Sequence, residues 1–153
     1  MVTVSKKREE KLAKLVREFF AVHPDVKLVA ITGSAGKASA KIAIGTVLAQ
    51  QFDIQLRNEE PKTKADVFLQ MMGVKMPEKG LFKWWKVMRA VKKRIKAEKP
   101  EVQVIVQEFN PKELGYNDWF KAYVVPDITV VTSVTNGRMQ VEYSLEEVAN
   151  EMI

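Results

Sequence analysis

Apolar residues follow two spacings along the chain, and the spacing changes several times between its ends. In residues 5–22 they recur every three or four positions with charged residues between them, which predicts an amphipathic helix. Short, almost continuous apolar runs predict strands at 27–32, 53–56, 102–106 and 127–132. Helical patterns and capping signals predict further helices at 37–52, 65–72, 81–97, 114–123 and 145–152. In the second of these helices the residues available for packing are Ile42, Ile44, Val47 and Leu48. Strands that alternate with helices favour a three-layer α/β fold, in which a mostly parallel sheet has helices on both faces.

Composition limits the chemistry that the chain can carry. Its 153 residues correspond to one domain, and uncharged stretches such as residues 28–36 are too short to cross a bilayer, so we expect a cytoplasmic protein. The absence of cysteine excludes disulfides and thiolate metal sites. The only histidine, His23, follows the first helix and is expected to be a capping or surface residue. A net charge of +6 favours anionic partners such as nucleotides, nucleic acid or an acidic membrane.

A glycine-rich turn joins the first predicted strand to the helix that follows it. Its sequence, residues 32–37, is Thr-Gly-Ser-Ala-Gly-Lys. Glycines allow backbone N–H groups to turn toward an anion, the helix N-terminus is electropositive, and Lys37 adds a point charge. The turn is therefore predicted to bind phosphate; the alternative is a plain glycine-rich turn with an exposed lysine. Because ligands bind at the carboxyl ends of parallel strands, this turn, Glu108 and the turn from Thr132 to Gly137 are candidates to converge there.

Several segments resemble the central ATP-binding domain of the Mur ligases, the family that builds the peptide stem of peptidoglycan and includes folylpolyglutamate synthetases. Besides the turn at 32–37, these segments are 57–61 (Arg-Asn-Glu-Glu-Pro), 104–108 (Val-Ile-Val-Gln-Glu), 126–134 (Pro-Asp-Ile-Thr-Val-Val-Thr-Ser-Val) and 144–149 (Ser-Leu-Glu-Glu-Val-Ala). The similarity covers residues 27–153 and points to the branch that adds D-alanyl-D-alanine to a UDP-N-acetylmuramoyl-tripeptide. Residues 1–26 are expected to form an N-terminal amphipathic helix ahead of that domain.

The resemblance implies a P-loop NTPase-like domain that takes part in peptidoglycan precursor synthesis. In such a ligase ATP phosphorylates a peptide carboxylate, and an amine then attacks the acyl phosphate to give an amide, ADP and phosphate. Phosphoryl transfer of this kind depends mainly on charge compensation. By the resemblance, Lys37 would be the catalytic residue on the β- and γ-phosphates, Glu108 would hold magnesium, and a UDP-muramyl peptide would be the substrate. The residues that would contact ATP are Thr32, Gly33, Ser34, Ala35, Gly36, Lys37, Ala38 and Ser39.

Several positions depart from the family pattern. Ala38 stands where a hydroxyl usually binds magnesium, Ala40 stands where threonine is frequent, and Arg138 falls near the position of a histidine that contacts the metal. The chain also stops before the later part of a ligase, so we expect a truncated central domain, a fragment of a longer protein with an impaired magnesium site, that is inactive by itself. The alternative is a non-catalytic module that binds nucleotides or associates with membranes. For Glu108 the alternative to a metal ligand is a solvated carboxylate, and Asp127 is expected to start or cap a strand.

The helix predicted from Leu81 to Ala97 is strongly basic. Its two tryptophans and seven cationic residues would suit an acidic membrane surface or nucleic acid. The favoured interpretation is that Trp84, Trp85 and Met88 pack on the sheet while the lysines form a solvated face. Nucleic acid is disfavoured, because no recognised binding motif accompanies the charge.

Overall fold

The computed structural model describes residues 4–77, 80–110 and 115–135, together with the single positions 144, 146 and 149. The helix predicted at 145–152 therefore lies largely outside the described residues. The same holds for Leu114, for Arg138 and for the last two residues of the predicted turn from Thr132 to Gly137. No helix in the described part of the chain is both long and apolar enough to cross a membrane.

Helices and strands alternate along most of the chain, as predicted. In chain order the elements are α1 (Lys6–Val22), β1 (Lys27–Thr32), α2 (Lys37–Leu48), β2 (Ile54–Leu56), α3 (Lys64–Met71), α4 (Leu81–Ile95), β3 (Val104–Glu108), α5 (Tyr116–Lys121) and β4 (Ile128–Val131). Helix α2 ends at Leu48 and not at residue 52. Its last turn tightens, because Gln50 N–H donates to the carbonyl of Val47, three residues back, at 3.2 Å.

All four strands form one parallel sheet in the order β2-β3-β1-β4, which confirms the predicted α/β class. Strand β1 pairs with β3 on one side and with β4 on the other. The register places Ile31 opposite Glu108 and Thr32 opposite Val131. The carboxyl ends of β1, β3 and β4 therefore meet at one edge of the sheet.

Side chains of β1 pack in two separate cores, because successive residues of a strand point to opposite faces. Leu28 and Ala30 belong to the larger core, together with residues of α1, α3, α4 and α5. Val29 and Ile31 belong to the smaller core, against which Ile44 and Leu48 of α2 pack. Helix α2 thus packs in a different core from the other helices.

The most deeply buried residues of α2 are not its large apolar ones, since Ile44 and Leu48 are only partly buried against the smaller core. The buried residues of α2 are Lys37, Lys41 and Gly45, spaced four apart on one side of the helix. Ile42 and Val47 are 54% and 71% exposed, so the prediction that they pack is wrong. On this side of the helix Lys37 donates to the Gly33 carbonyl and Lys41 to Glu108, at the carboxyl ends of β1 and β3.

Helix α4 packs chiefly against α1, and only one of its adjacent tryptophans is buried. Trp84 is 6% exposed and lies in the larger core, whereas Trp85 is 55% exposed. Successive residues of a helix point about 100° apart, so the two rings cannot enter the same core. The prediction that Trp85 packs is therefore wrong, and α4 leaves a long exposed face of cations and aromatic rings.

An arginine fixes the C-terminal half of α4 to the end of α3. Arg94 Nη1 donates to the Gln55 side-chain oxygen at 2.6 Å and to the carbonyl of Met72 at 2.7 Å. Burial lowers the pKa of Arg94, and the charge of Glu101 opposes this shift. Because the carbonyls at the end of α3 receive their hydrogen bonds from Arg94 and Gln55, the positions of the two helices are linked.

Two predicted end residues take capping roles. His23 is the C-cap of α1, where its N–H donates to the carbonyl of Phe19 at 2.9 Å, but it is buried and not on the surface. Asp127 precedes β4, and its Oδ2 accepts from the N–H of Leu28 at 2.8 Å. The Asp127 carboxylate thus fastens the beginning of β4 to β1, which confirms its predicted role at a strand start.

Candidate functional site

The predicted phosphate loop lies between β1 and α2, at the carboxyl edge of the sheet. Thr32 is the last residue of β1, and Lys37 is the first residue of α2. Gly33 and Gly36 have φ angles of 135° and 78°, in the region that favours glycine. A Cβ at Gly33 would also clash with the hydroxyl of Thr132 and approach the Ser133 nitrogen to 2.9 Å. The loop therefore needs glycine at position 33, where it lies directly against the end of β4.

Hydrogen bonds hold the loop onto the residues that follow β4. Ser34 N–H donates to the carbonyl of Ser133 at 2.9 Å, and Ala35 N–H donates to the Ser133 hydroxyl at 2.9 Å. Thr135 N–H donates to the Ser34 hydroxyl at 2.8 Å, and the Thr132 hydroxyl donates to the carbonyl of Ala35. The structure thus brings the glycine-rich turn and the β4 turn together, as far as the latter is described.

These bonds narrow the surface that an anion can use. The amides of Ser34 and Ala35 are taken by Ser133, although both residues were predicted to face ATP. The first hydrogen bond within α2 runs from Ala40 N–H to the carbonyl of Gly36 at 3.0 Å. The amides of Ala38 and Ser39 precede it, and in a helix such amides have no acceptor within the helix. The part of the predicted phosphate site whose amides remain for an anion is therefore the first turn of α2.

Lys37 is not an exposed lysine beside a plain turn. It is 3% exposed, and its Nζ donates to the carbonyl of Gly33 at 2.7 Å. The ammonium is therefore held beneath the loop by the loop's own backbone. A cation fixed in this way acts on a bound anion without reorganising.

Lys41 and Glu108 form a buried ion pair next to the loop. The Lys41 ammonium lies 2.9 Å from Oε2 of Glu108, and the two side chains are 2% and 5% exposed. Lys41 Nζ also donates to the carbonyl of Asn58 at 3.4 Å, which links α2 to the segment after β2. Because Glu108 is buried and paired, it is not the solvated carboxylate that the sequence left as an alternative.

The residues around Glu108 do not fit a magnesium ion. Magnesium requires several oxygen ligands in octahedral geometry, and Glu108 already accepts from the Lys41 ammonium. Position 38 is alanine, and no group of three acidic, histidine or cysteine side chains that could hold a metal occurs among the residues that the structure describes. A divalent ion at Glu108 would have to displace a buried ammonium, which is strongly unfavourable.

One buried hydroxyl at the start of the loop has no hydrogen-bond partner. Thr32 is 4% exposed, and its Oγ1 is the only buried side-chain nitrogen or oxygen left unsatisfied within the described ranges. Buried polar atoms are nearly always satisfied, so an exception calls for a ligand, a water or an ion. The unsatisfied Thr32 hydroxyl thus lies at the point where β1 enters the loop.

A groove of about 480 Å³ borders the segment that Lys41 contacts. Segment 57–63 and helix α3 provide most of its lining residues, which carry charges of both signs. The cationic side chains are Arg57, Lys62 and Lys75, and the acidic ones are Glu59, Glu60 and Asp66. Its mixed charge distinguishes this groove from the loop, where lysine dominates.

Sequence reasoning missed two residues that shape the loop. Lys41 was not singled out, although Lys37, Lys41 and Gly45 recur at intervals of four and so share one helix face. For Ser133 the sequence predicts only a place in a polar turn. Its two bonds to the loop depend on the pairing of β1 with β4, which local patterns do not reveal.

Comparison with models of known protein families, with curated proteins and with solved structures gives no match. The resemblance to Mur ligases therefore stays a prediction that rests on the short segments quoted above. The geometry of the loop carries the functional argument.

Proposed function

We propose that the chain is a nucleotide-binding domain of the Mur-ligase type, with the three-layer P-loop arrangement, that holds a polyphosphate without a divalent metal ion. The supporting observation is the start of α2, whose first amides have no acceptor within the helix, with Lys37 held by the Gly33 carbonyl and the unsatisfied Thr32 hydroxyl at the end of β1. Parallel sheets bind ligands outside the carboxyl ends of their strands, where the strand order reverses. In the order β2-β3-β1-β4 that point lies at β1, which ends in the loop before α2.

The charge for phosphate binding comes from two sources. The first is the positive end of α2, a helix of 12 residues. The second is the Lys37 ammonium, which the Gly33 carbonyl keeps in place. Ala38 and Ser39 are exposed residues at the helix start, where backbone amides have no acceptor within the helix. Lys41 adds little net charge, because Glu108 neutralises it.

The same ion pair accounts for the absence of a magnesium requirement. In a magnesium-dependent site the acidic side chain holds the metal through an oxygen atom. Here Lys41 takes that place beside Glu108 at 2.9 Å, and Ala38 provides no hydroxyl ligand. We therefore propose binding and not catalysis. ATP-dependent amide ligation and a UDP-muramyl peptide substrate remain predictions of the resemblance.

The test is calorimetric titration of the full chain with ATP, once with magnesium and once with EDTA. We expect saturable binding with affinities that agree within about twofold in the two buffers, because no part of the site depends on the metal. Lys37→Ala should weaken binding in both, since it removes the fixed cation. Lys121→Ala is the matched control, because Lys121 is an exposed lysine on α5.

Each result decides one part of the proposal. Affinity at least tenfold higher with magnesium would overturn the metal-free site and restore a metal role for Glu108. No binding in either buffer would overturn the nucleotide site itself. Equal loss of affinity in Lys37→Ala and Lys121→Ala would show that binding reflects general charge and not the loop.

A further inference from the structure

Helices α1 and α4 enclose a groove that the nucleotide site does not use. Its volume is about 880 Å³, and α1 and α4 provide most of its lining residues, which include Trp84, Trp85 and Met88. Six of the described lining residues are cationic and none is acidic. The six are Arg8, Lys11, Arg89, Lys92, Lys93 and Lys96. The groove thus concentrates positive charge over an apolar floor.

Two exposed aromatic rings extend this surface toward the N-terminus of α4. Phe82 and Trp85 are 66% and 55% exposed, and their rings stack with centroids 5.9 Å apart and planes inclined by 15°. Lys86 lies over the Phe82 ring and Arg89 over the Trp85 ring, at 4.8 and 5.5 Å from the centroids. Cations and aromatic rings are therefore combined in one patch and do not form separate surfaces.

The spacing places these residues along one side of the helix. Positions 82, 85, 89, 92 and 96 are all exposed and follow each other at intervals of three or four. The buried stripe of α4, which contains Trp84 and Val91, lies on another side, against α1. A helix of 15 residues is about 22 Å long, so the stripe presents a linear surface of about that length.

We propose that this face, the exposed side of α4 with Lys96 after it and Arg8 and Lys11 of α1, docks on the surface of an anionic membrane. Exposed aromatic rings favour the boundary between headgroups and acyl chains, and basic residues around them are attracted to anionic lipids. Phe82 and Trp85 enter that boundary at one end of the helix. The cations along the groove face the headgroups. Because the described lining residues of the groove are cationic or uncharged, charge complementarity selects an anionic surface over a neutral one.

Vesicle co-sedimentation with the full chain tests this docking. We expect binding to phosphatidylcholine vesicles that contain about one third phosphatidylglycerol, and no binding to pure phosphatidylcholine. Raising the ionic strength from about 0.1 to about 1 M shortens the screening length from about 10 to about 3 Å and should release the protein. The tryptophan emission should shift to shorter wavelength on binding, and Trp85→Phe should remove most of that shift.

Two variants and two matched controls locate the surface. Lys92→Glu with Lys93→Glu should weaken vesicle binding at least roughly 25-fold, since each basic residue near such a surface contributes about fivefold. Phe82→Ala with Trp85→Ala should weaken it as well, while circular dichroism stays unchanged because both side chains are exposed. The controls are Lys75→Glu with Lys121→Glu for the charges and Phe52→Ala, an exposed ring before β2, for the aromatic pair.

The outcomes separate the membrane from other anions. Loss of binding in both groove variants, with both controls binding like the wild type, supports the proposal. Binding that the groove variants leave unchanged would overturn it, and so would the absence of vesicle binding. If the chain binds soluble polyglutamate but not vesicles, the proposal is also overturned, and an acidic protein partner is favoured instead.

Discussion

Lysines lie beside both the loop between β1 and α2 and the groove between α1 and α4, but their environments are opposite. Lys37 and Lys41 in the loop region are buried and donate to oxygen atoms of the protein at 2.7 and 2.9 Å. Lys92 and Lys93 in the groove are exposed. A buried cation has a fixed partner in the protein, so removal of the cation leaves that partner unsatisfied. An exposed cation contributes to a shared field and can be replaced at little cost to folding.

Loss of the Lys41 ammonium should have the largest effect on folding. Lys41→Met leaves Glu108 buried without a partner, and we expect the free energy of unfolding to fall by about 3–5 kcal/mol. Urea denaturation followed by circular dichroism measures this change. Lys41→Met combined with Glu108→Leu should recover a large part of it, because no buried charge remains. A loss below about 1 kcal/mol in the single variant would mean that the pair is solvated.

The two adjacent tryptophans of α4 should differ clearly in how much their substitution lowers the free energy of unfolding. Trp84→Ala removes a large ring from the core and should lower the free energy of unfolding by about 3–5 kcal/mol. Trp85→Ala should change it by less than about 1 kcal/mol, because that ring is half exposed and lies on the outer face. Thermal melts of the two variants side by side give the comparison. Equal losses would contradict the division of α4 into a packed and an exposed side.

Substitution of Gly33 should have the next largest effect on stability. A side chain there meets the backbone of Ser133 and adopts an unfavourable φ, so Gly33→Ala should cost about 2–4 kcal/mol and weaken ATP binding. Gly36→Ala is the matched control. Its Cβ would lie 3.8 Å from the nearest atom, so only the φ penalty of about 1–2 kcal/mol applies. If both variants lose the same stability, the contact between the loop and β4 is not a tight one.

The groove lysines should have the smallest effect on stability. Lys92→Gln and Lys93→Gln remove two exposed charges that repel their neighbours, so we expect the free energy of unfolding to stay within about 0.5 kcal/mol of the wild type. Chemical denaturation at low and at high salt checks this expectation. A loss of 2 kcal/mol or more, by the same order-of-magnitude scale, would give the groove cations a structural role that their exposure does not indicate.

Much of the fold follows from local pattern. The bounds of α1 and β1 agree with the sequence-based prediction to within a residue, because strong periodicity and the break at His23 and Pro24 determine them. Other ends are less well predicted, as β3 shows by beginning at Val104 and not at residue 102. There the backbone N–H groups of Gln103 and Val104 both donate to the carbonyl of Asp53. This contact joins segments that are distant in sequence, so local patterns do not reveal it.

The site was harder to predict than the fold. The glycine-rich turn and its position at a strand end were visible in residues 32–37, and the structure places them there. The side of α2 that faces inward was not visible in the sequence, since Ile42 is exposed while Lys41 beside it is buried. Periodicity assumes that apolar residues face inward. This assumption fails where an acidic residue of a distant strand, here Glu108 of β3, provides a buried partner for a lysine.

The attachment of the loop to the end of β4 has a consequence for the order in which the protein assembles. Ser34 and Thr135 are 101 positions apart, so the loop cannot close until nearly the whole described chain has been synthesised. At about 5–20 residues per second, roughly 5–20 s separate the synthesis of the two ends. During that interval β1 and α2 exist on the ribosome without the serine that holds their turn. We therefore expect the ability to retain a nucleotide to be among the last properties that a nascent chain acquires.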